Sequence, residues 1–212
     1  MTLHVLEEIG QAVKRIKWIL LFVTVLYVCS YLCGWYLTSA NSPLAVQTGE
    51  LIRGTVATET PFTTVTQLLR SGDLLQAILA TFAYNLGSGA FLATTLPGII
   101  PLVGALITIA ITVVRGFVIG VTYPAILSSS ISWFAVGMGT IVLELGAYVF
   151  SGAAGIHIAI STMTPQSFNT QSRWIAFKQA WKDAARVYVI VIILLALGAT
   201  WEMTGLFLIT HP

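Results

Sequence analysis

The chain has 212 residues, a formal net charge of +2, 57% hydrophobic residues and only 8% charged ones. A soluble domain carries roughly a quarter charged residues, so this composition excludes one and places the chain in a membrane. The small charge and the lack of a basic tract exclude a nucleic-acid partner.

Residues 1–17 hold Glu7, Glu8, Lys14, Arg15 and Lys17 and read as a solvated amphipathic leader on the cytoplasmic side. Trp18–Leu37 is a charge-free apolar run of 20 residues, long enough to cross about 30 Å of hydrocarbon. It is too long for a signal-peptide core and reads as a retained first span. Cys29 and Cys33, four apart within it, read as helix-packing residues rather than a disulfide scaffold or zinc site. The stretch from about Thr38 to Asp73 reads as one long outer loop, with a short helix near Val65–Leu69.

Four more apolar runs follow: Leu74–Leu96, Pro101–Leu127 with only Arg115 charged, Ile131–Ile160 with Glu144, and Val187–Ile209 with Glu202. Pro97-Gly98 and Ser128-Ser129-Ser130 mark turns between them. Leu86-Gly87-Ser88-Gly89 loosens the second run enough to admit a re-entrant or six-span variant, less economical than five. Between the last two spans, Ser172–Arg186 is basic and amphipathic. Trp174, Phe177 and Trp181 lie on one side and Arg173, Lys178 and Lys182 elsewhere, so it reads as an interfacial helix at anionic headgroups. The expected fold is therefore all-α: a single polytopic membrane bundle over residues 18–212, with about five transmembrane helices plus this amphipathic helix. Lys14, Arg15, Lys17, Arg173, Lys178, Lys182 and Arg186 fall on one side, against Arg53 and Arg70 on the other. The count predicts an N-terminus in the cytoplasm and a C-terminus outside.

Three polar residues share a depth near the bilayer centre: Asn85, Arg115 and Glu144, each about 16–21 Å from its entry face. An ionised group there costs roughly 2.5–3.5 kcal/mol, which mutual pairing relieves, so Arg115 is expected to contact Glu144. Helical spacing extends each into a stripe. The stripes are Thr81, Asn85, Ser88 and Thr95; Thr108, Thr112, Arg115 and Thr122; and Thr140, Glu144, Tyr148 and Ser151. Such a seam is either a water-filled path or interhelical glue. Glu202 reads as a water-accessible acid near the outer headgroups. His157, about 220° around the helix from Glu144, reads as an interfacial histidine. Ala147, Ser151, Gly155 and Ala159 recur every four residues, and Gly116 and Gly120 form a GxxxG, serving intramolecular packing or homodimerisation.

Catalytic chemistry is not expected. Gly87-Ser88-Gly89 and His157 lie roughly 15 Å apart in depth with no third orienting group, which excludes a serine–histidine pair. Phosphate loops, HExxH helices and Cys/His metal clusters are missing, so neither metal nor cofactor is expected.

Phe82-Ala83-Tyr84-Asn85, Arg115-Gly116 with Gly120, and Glu144-Leu145 with Gly152 and Gly155 together resemble the stage II sporulation protein M family. The resemblance continues through Arg173, Phe177, Ala180, Asp183, Ala184 and Arg186 to Glu202, and so runs from about Leu75 to the end. Arg115 stands where the family usually has Asn, and Thr140-Ile141 where it has His-Gly. The resemblance implies a polytopic protein without catalytic machinery; the founding member anchors peptidoglycan-cleaving enzymes at a septal membrane. Two functions follow as expectations. One is a membrane scaffold for a membrane or extracellular protein partner, presenting the outer loop or the basic segment. The other is a transporter or channel for an ion or small solute through the seam around Asn85, Arg115 and Glu144.

Overall fold

The computed structural model describes residues 2–127 and 130–211. Helix α1 spans Thr2–Ser39, α2 Pro43–Thr58 and α3 Thr60–Arg70. Helix α4 (Leu74–Tyr84) runs on through a π-helical segment, Asn85–Thr95, and a 3₁₀ turn, Leu96–Ile99. Helix α5 is Val103–Leu127; α6 (Ile131–Thr140) continues through a π segment, Ile141–Leu145, into α7 (Gly146–Ser161). A 3₁₀ turn at Pro165–Phe168 precedes α8, Arg173–Thr210. No strand occurs among the described residues. Among the described residues, five helices are long and apolar enough to cross a membrane: His4–Ser39, Leu74–Ile99, Val103–Thr122, Ile131–Ser161 and Arg173–Thr210.

Local chemistry sets the boundaries. The Asp73 carboxylate accepts from the Gln76 amide at 3.2 Å, and the Ser130 and Ser172 hydroxyls accept from the Trp133 and Ile175 amides at 3.3 and 3.4 Å. Pro43 and Pro61 stand in the first turns of α2 and α3, where no amide hydrogen is needed. Gly72, at φ +82°, makes the turn from α3 to α4. Ser128 and Ser129 of the expected serine turn lie outside the described residues; Ser130 is the cap of α6.

Two expectations need correcting, and the six-span or re-entrant alternative falls away. The outer loop is not a loop with one short helix: it is almost wholly the helical pair α2–α3. The leader and the amphipathic segment are not separate elements. Each runs continuously into its neighbouring span, giving two helices of 38 residues, α1 and α8. At 1.5 Å per residue these reach about 57 Å, well beyond the hydrocarbon, and side-chain bonds between Arg15 and Asp183 and between Glu8 and Arg186 hold their projecting parts together at one end of the bundle. The Leu86–Gly89 stretch makes neither a re-entrant loop nor a sixth span. The chain absorbs it as π turns within one through-going helix.

Helix α7 is the axis. Nearly every residue from Ala147 to Ser161 is buried, enclosed by α1, α5, α8 and the π segment. Its small side chains make this possible: a Cβ on Gly155 would lie 1.9 Å from the Thr94 carbonyl oxygen. Helix α1 packs chiefly along α5 by the same device, since a Cβ on Gly120 would fall 2.1 Å from the Tyr31 carbonyl. Close backbone approach of this kind drives membrane helices together where lipid removes the hydrophobic incentive.

Candidate functional site

The four-residue row of α7 packs inward. Ala147, Ser151 and Ala159 are fully buried and Gly155 meets the end of the second span. Gly116 and Gly120 face Tyr27, Ser30 and Tyr31 of α1. Of the two uses open to these rows, packing within the chain is the one their contacts fulfil. Cys29 and Cys33, expected to pack, are instead exposed on α1.

The seam at mid-bundle forms, but with different partners from those expected. Arg115 does not pair with Glu144: among the described residues no ion pair within 4.0 Å joins them. Glu144 instead accepts a hydrogen bond from Asn85 Nδ2 at 2.6 Å. Two features aim it there. The π segment Ile141–Leu145 re-phases the helix just before Gly146, and Gly198 of α8 leaves room for the acid's stem. Arg115 lies over the Tyr148 ring, its Cζ 3.9 Å from the centroid, and Nη2 donates to the Gly89 carbonyl at 3.1 Å. The ring face supplies part of the compensation a carboxylate was expected to provide.

Some of the seam's hydroxyls bridge helices, while Thr81 Oγ1 is buried without a hydrogen-bond partner. Thr94 and Ser151 share a 2.9 Å bond, Thr95 and Tyr188 a 2.7 Å bond, and Thr108 donates to the Thr94 carbonyl at 2.9 Å. Among the described residues, Thr112, Thr122 and Thr140 donate within their own helix, to the carbonyls of Thr108, Val118 and Val136. Ser88 faces outward and leaves the seam. Glu202 is not a water-bathed headgroup acid: it is half-buried, one turn beyond Gly198 and within electrostatic reach of Glu144.

A second polar cluster was not foreseen. Asp183, on the projecting part of α8, is fully buried. Arg15 of α1 grips it with both prongs, Nε at 2.8 Å on one oxygen and Nη2 on the other. His157 Nε2 of α7 lies 3.4 Å away, and Arg186 Nη1 and Gln179 Nε2 add bonds of 3.3 and 3.4 Å. Arg186 also reaches Glu8 of α1 at 3.1 Å. His157, expected at an interface, is 6% exposed and packs against Phe168. Two arginines and two acids thus balance one another where three helices meet, a geometry suited to a clamp. A usable signal existed. Ala176, Ala180, Asp183, Ala184 and Val187 form one buried stripe with an acid in it, and Ala12 and Ile16 flank Arg15 likewise.

The residues expected at the interface divide. Phe177 and Trp181 are half-buried against Ala180, Ala184 and Ile158, whereas Trp174 is 61% exposed and stacks on Phe177. Lys178 lies 5.0 Å above the Trp174 ring and, like Lys182, is exposed.

Two open grooves mark the surface. One of about 830 Å³ runs between α6 and α8 beside Val136, Leu197 and Trp201; the other, about 650 Å³, lies along α2 by Glu50, Leu51 and Glu59. Neither is lined by Asn85, Arg115 or Glu144.

The family model described as Stage II sporulation protein M matches residues 20–204, taking in α2 and α3 as well as the stretch from Leu75. No curated protein and no solved structure matches the chain.

Proposed function

The chain belongs to the stage II sporulation protein M family, and from that membership we propose that it is a non-enzymatic membrane scaffold for partner proteins. The observation that carries this reading is the bonding of the seam. Asn85 is committed to Glu144, Thr94 to Ser151 and Thr95 to Tyr188. Side chains engaged with one another lock helices in register and are poor linings for a solute path. In this reading the N-terminus is cytoplasmic, the membrane is a prokaryotic plasma membrane, and α2–α3 stands on the outer side. That pair is the presenting element. Leu44, Leu51 and Val56 of α2 are 55, 72 and 44% exposed, apolar surface of the kind that marks an interaction site.

The test is a photo-crosslinker placed at Leu51 in native membranes, followed by purification of the full chain in mild detergent. The scaffold reading expects one stoichiometric protein adduct. A chain that emerges without adduct and conducts ions or small solutes in proteoliposomes contradicts it and favours the transport alternative.

A further inference from the structure

We propose that the aromatic ladder Trp174–Phe177–Trp181, with the cations that border it, docks an acidic amphipathic helix of a soluble partner protein. The ladder cannot lie down among the lipid headgroups. Helix α8 is continuous through Arg186, and the Arg15–Asp183 and Glu8–Arg186 bonds tie its projecting part to α1. From Val187, where the apolar run begins, back to Trp174 is about 20 Å of helix. The headgroup layer adds only about 5–8 Å to each face of the hydrocarbon. Trp174 therefore stands in water beyond the headgroups, and it is still 61% exposed, with Ile175 beside it at 55%. At that height the field of an anionic membrane is largely screened, since the Debye length is about 8 Å. Apolar surface held in water marks an interaction site rather than a lipid contact.

The chemistry of the surface specifies its guest. At helical spacing Trp174, Phe177 and Trp181 form one stripe about 10 Å long, edged by Lys178 and Lys182 on one side and Arg173 on the other. The stripe is preformed. Phe177 and Trp181 pack against Ile158, Ala180 and Ala184, Trp174 stacks on Phe177 with centroids 5.7 Å apart, and Lys178 lies 5.0 Å above the Trp174 ring. Anchors already held in place lose little freedom on binding. Between Thr162 and Lys182 the chain has no acidic residue, so nothing in the segment balances its three cations. The complement is two helical turns of apolar side chains edged by carboxylates. This face rests on the scaffold reading and deepens it, adding a second docking element at the other end of α1 from α2–α3. A crosslink at Leu51 reads α2–α3 and the titration below reads α8, so either can fail alone.

The experiment uses the full chain in lipid nanodiscs, with Cys29 and Cys33 replaced by serine and a nitroxide on Ile175→Cys. In phosphatidylcholine and in phosphatidylserine-rich discs alike, the nitroxide should be open to a water-soluble nickel relaxant and shielded from lipid-dissolved oxygen. The probe is a synthetic helix of about four turns, glutamate-rich with one leucine stripe. It should bind saturably and broaden the nitroxide spectrum, whereas a peptide of the same composition with its leucines scattered should not. The paired charge reversal Lys178→Glu and Lys182→Glu, both at exposed positions, should weaken binding about tenfold or more. Trp174→Ser should weaken it at least as much. A nitroxide at headgroup depth in either lipid overturns the proposal in favour of a membrane contact. Failure of the striped peptide to saturate overturns it too, as does binding unchanged by the charge reversal.

Discussion

Arg15 closes a two-pronged hydrogen bond on Asp183 across 168 residues of sequence. The contact ties the projecting end of α1 to that of α8, with His157 of α7 completing the junction. Arg15→Ala would leave a fully buried carboxylate holding only longer bonds to His157, Arg186 and Gln179. The expected loss is about 3 kcal/mol, the low end for breaking a buried pair, because Arg15 itself is partly solvated. Arg15→Lys, which cannot make the fork, should recover less than half of it. Reversible unfolding in mixed micelles measures both.

At mid-bundle the partners found alter what substitution should do. Glu144→Gln keeps an acceptor for Asn85 Nδ2 and leaves no direct ion pair broken, so it should cost less than about 1 kcal/mol. Asn85→Leu removes the only hydrogen-bond donor found on that carboxylate among the described residues, and should cost about 3 kcal/mol. Equal losses for the two, read from unfolding midpoints, would contradict the assignment.

Two glycines of one helix should respond in opposite ways. Gly155→Ala places a methyl 1.9 Å from the Thr94 carbonyl oxygen, an overlap that backbone must move to relieve, at about 1–3 kcal/mol or more. Gly146→Ala meets only Leu194 Cδ1 at 3.6 Å and should be neutral or slightly stabilising through helix propensity. Melting temperatures of the two variants decide.

Gly120→Ala should separate internal packing from association. Its methyl would lie 2.1 Å from the Tyr31 carbonyl, so the α1–α5 contact should loosen by about 1–3 kcal/mol. The mass of the protein–detergent complex, followed by light scattering, should stay as in the native chain.

Five spans, their order and their approximate limits were readable because each is a charge-free or nearly charge-free run of sufficient length. The inward rows of α7 and the glycines of α5 were readable for a similar reason, as small residues at helical spacing announce close approach. The seam's membership was partly readable; its pairing was not. Depth arithmetic puts Arg115 and Glu144 at one level, but azimuth decides contact. The two π segments, at Asn85–Thr95 and Ile141–Leu145, shift azimuth in a way that a uniform 100° step does not contain. Asp183 figured only in the family resemblance, and its burial was hidden because its helix was divided at Arg186 into an interfacial piece and a span. Once α8 is continuous, the acid falls on the buried stripe. The helical pair α2–α3 was hidden by the Thr-rich composition of the segment, since threonine is a modest helix former and only context made these stretches helical.

Thiol accessibility tests the account most directly. In a chain with Cys29 and Cys33 replaced by serine, cysteines are placed one at a time at Thr95 and Ser151, both fully buried in the seam, and challenged with a small membrane-impermeant thiol reagent in sealed vesicles of each orientation. A seam that serves as helix glue predicts no labelling from either side until the protein is unfolded. Labelling of the folded protein at either position would mean that water runs along these side chains, and would contradict the account.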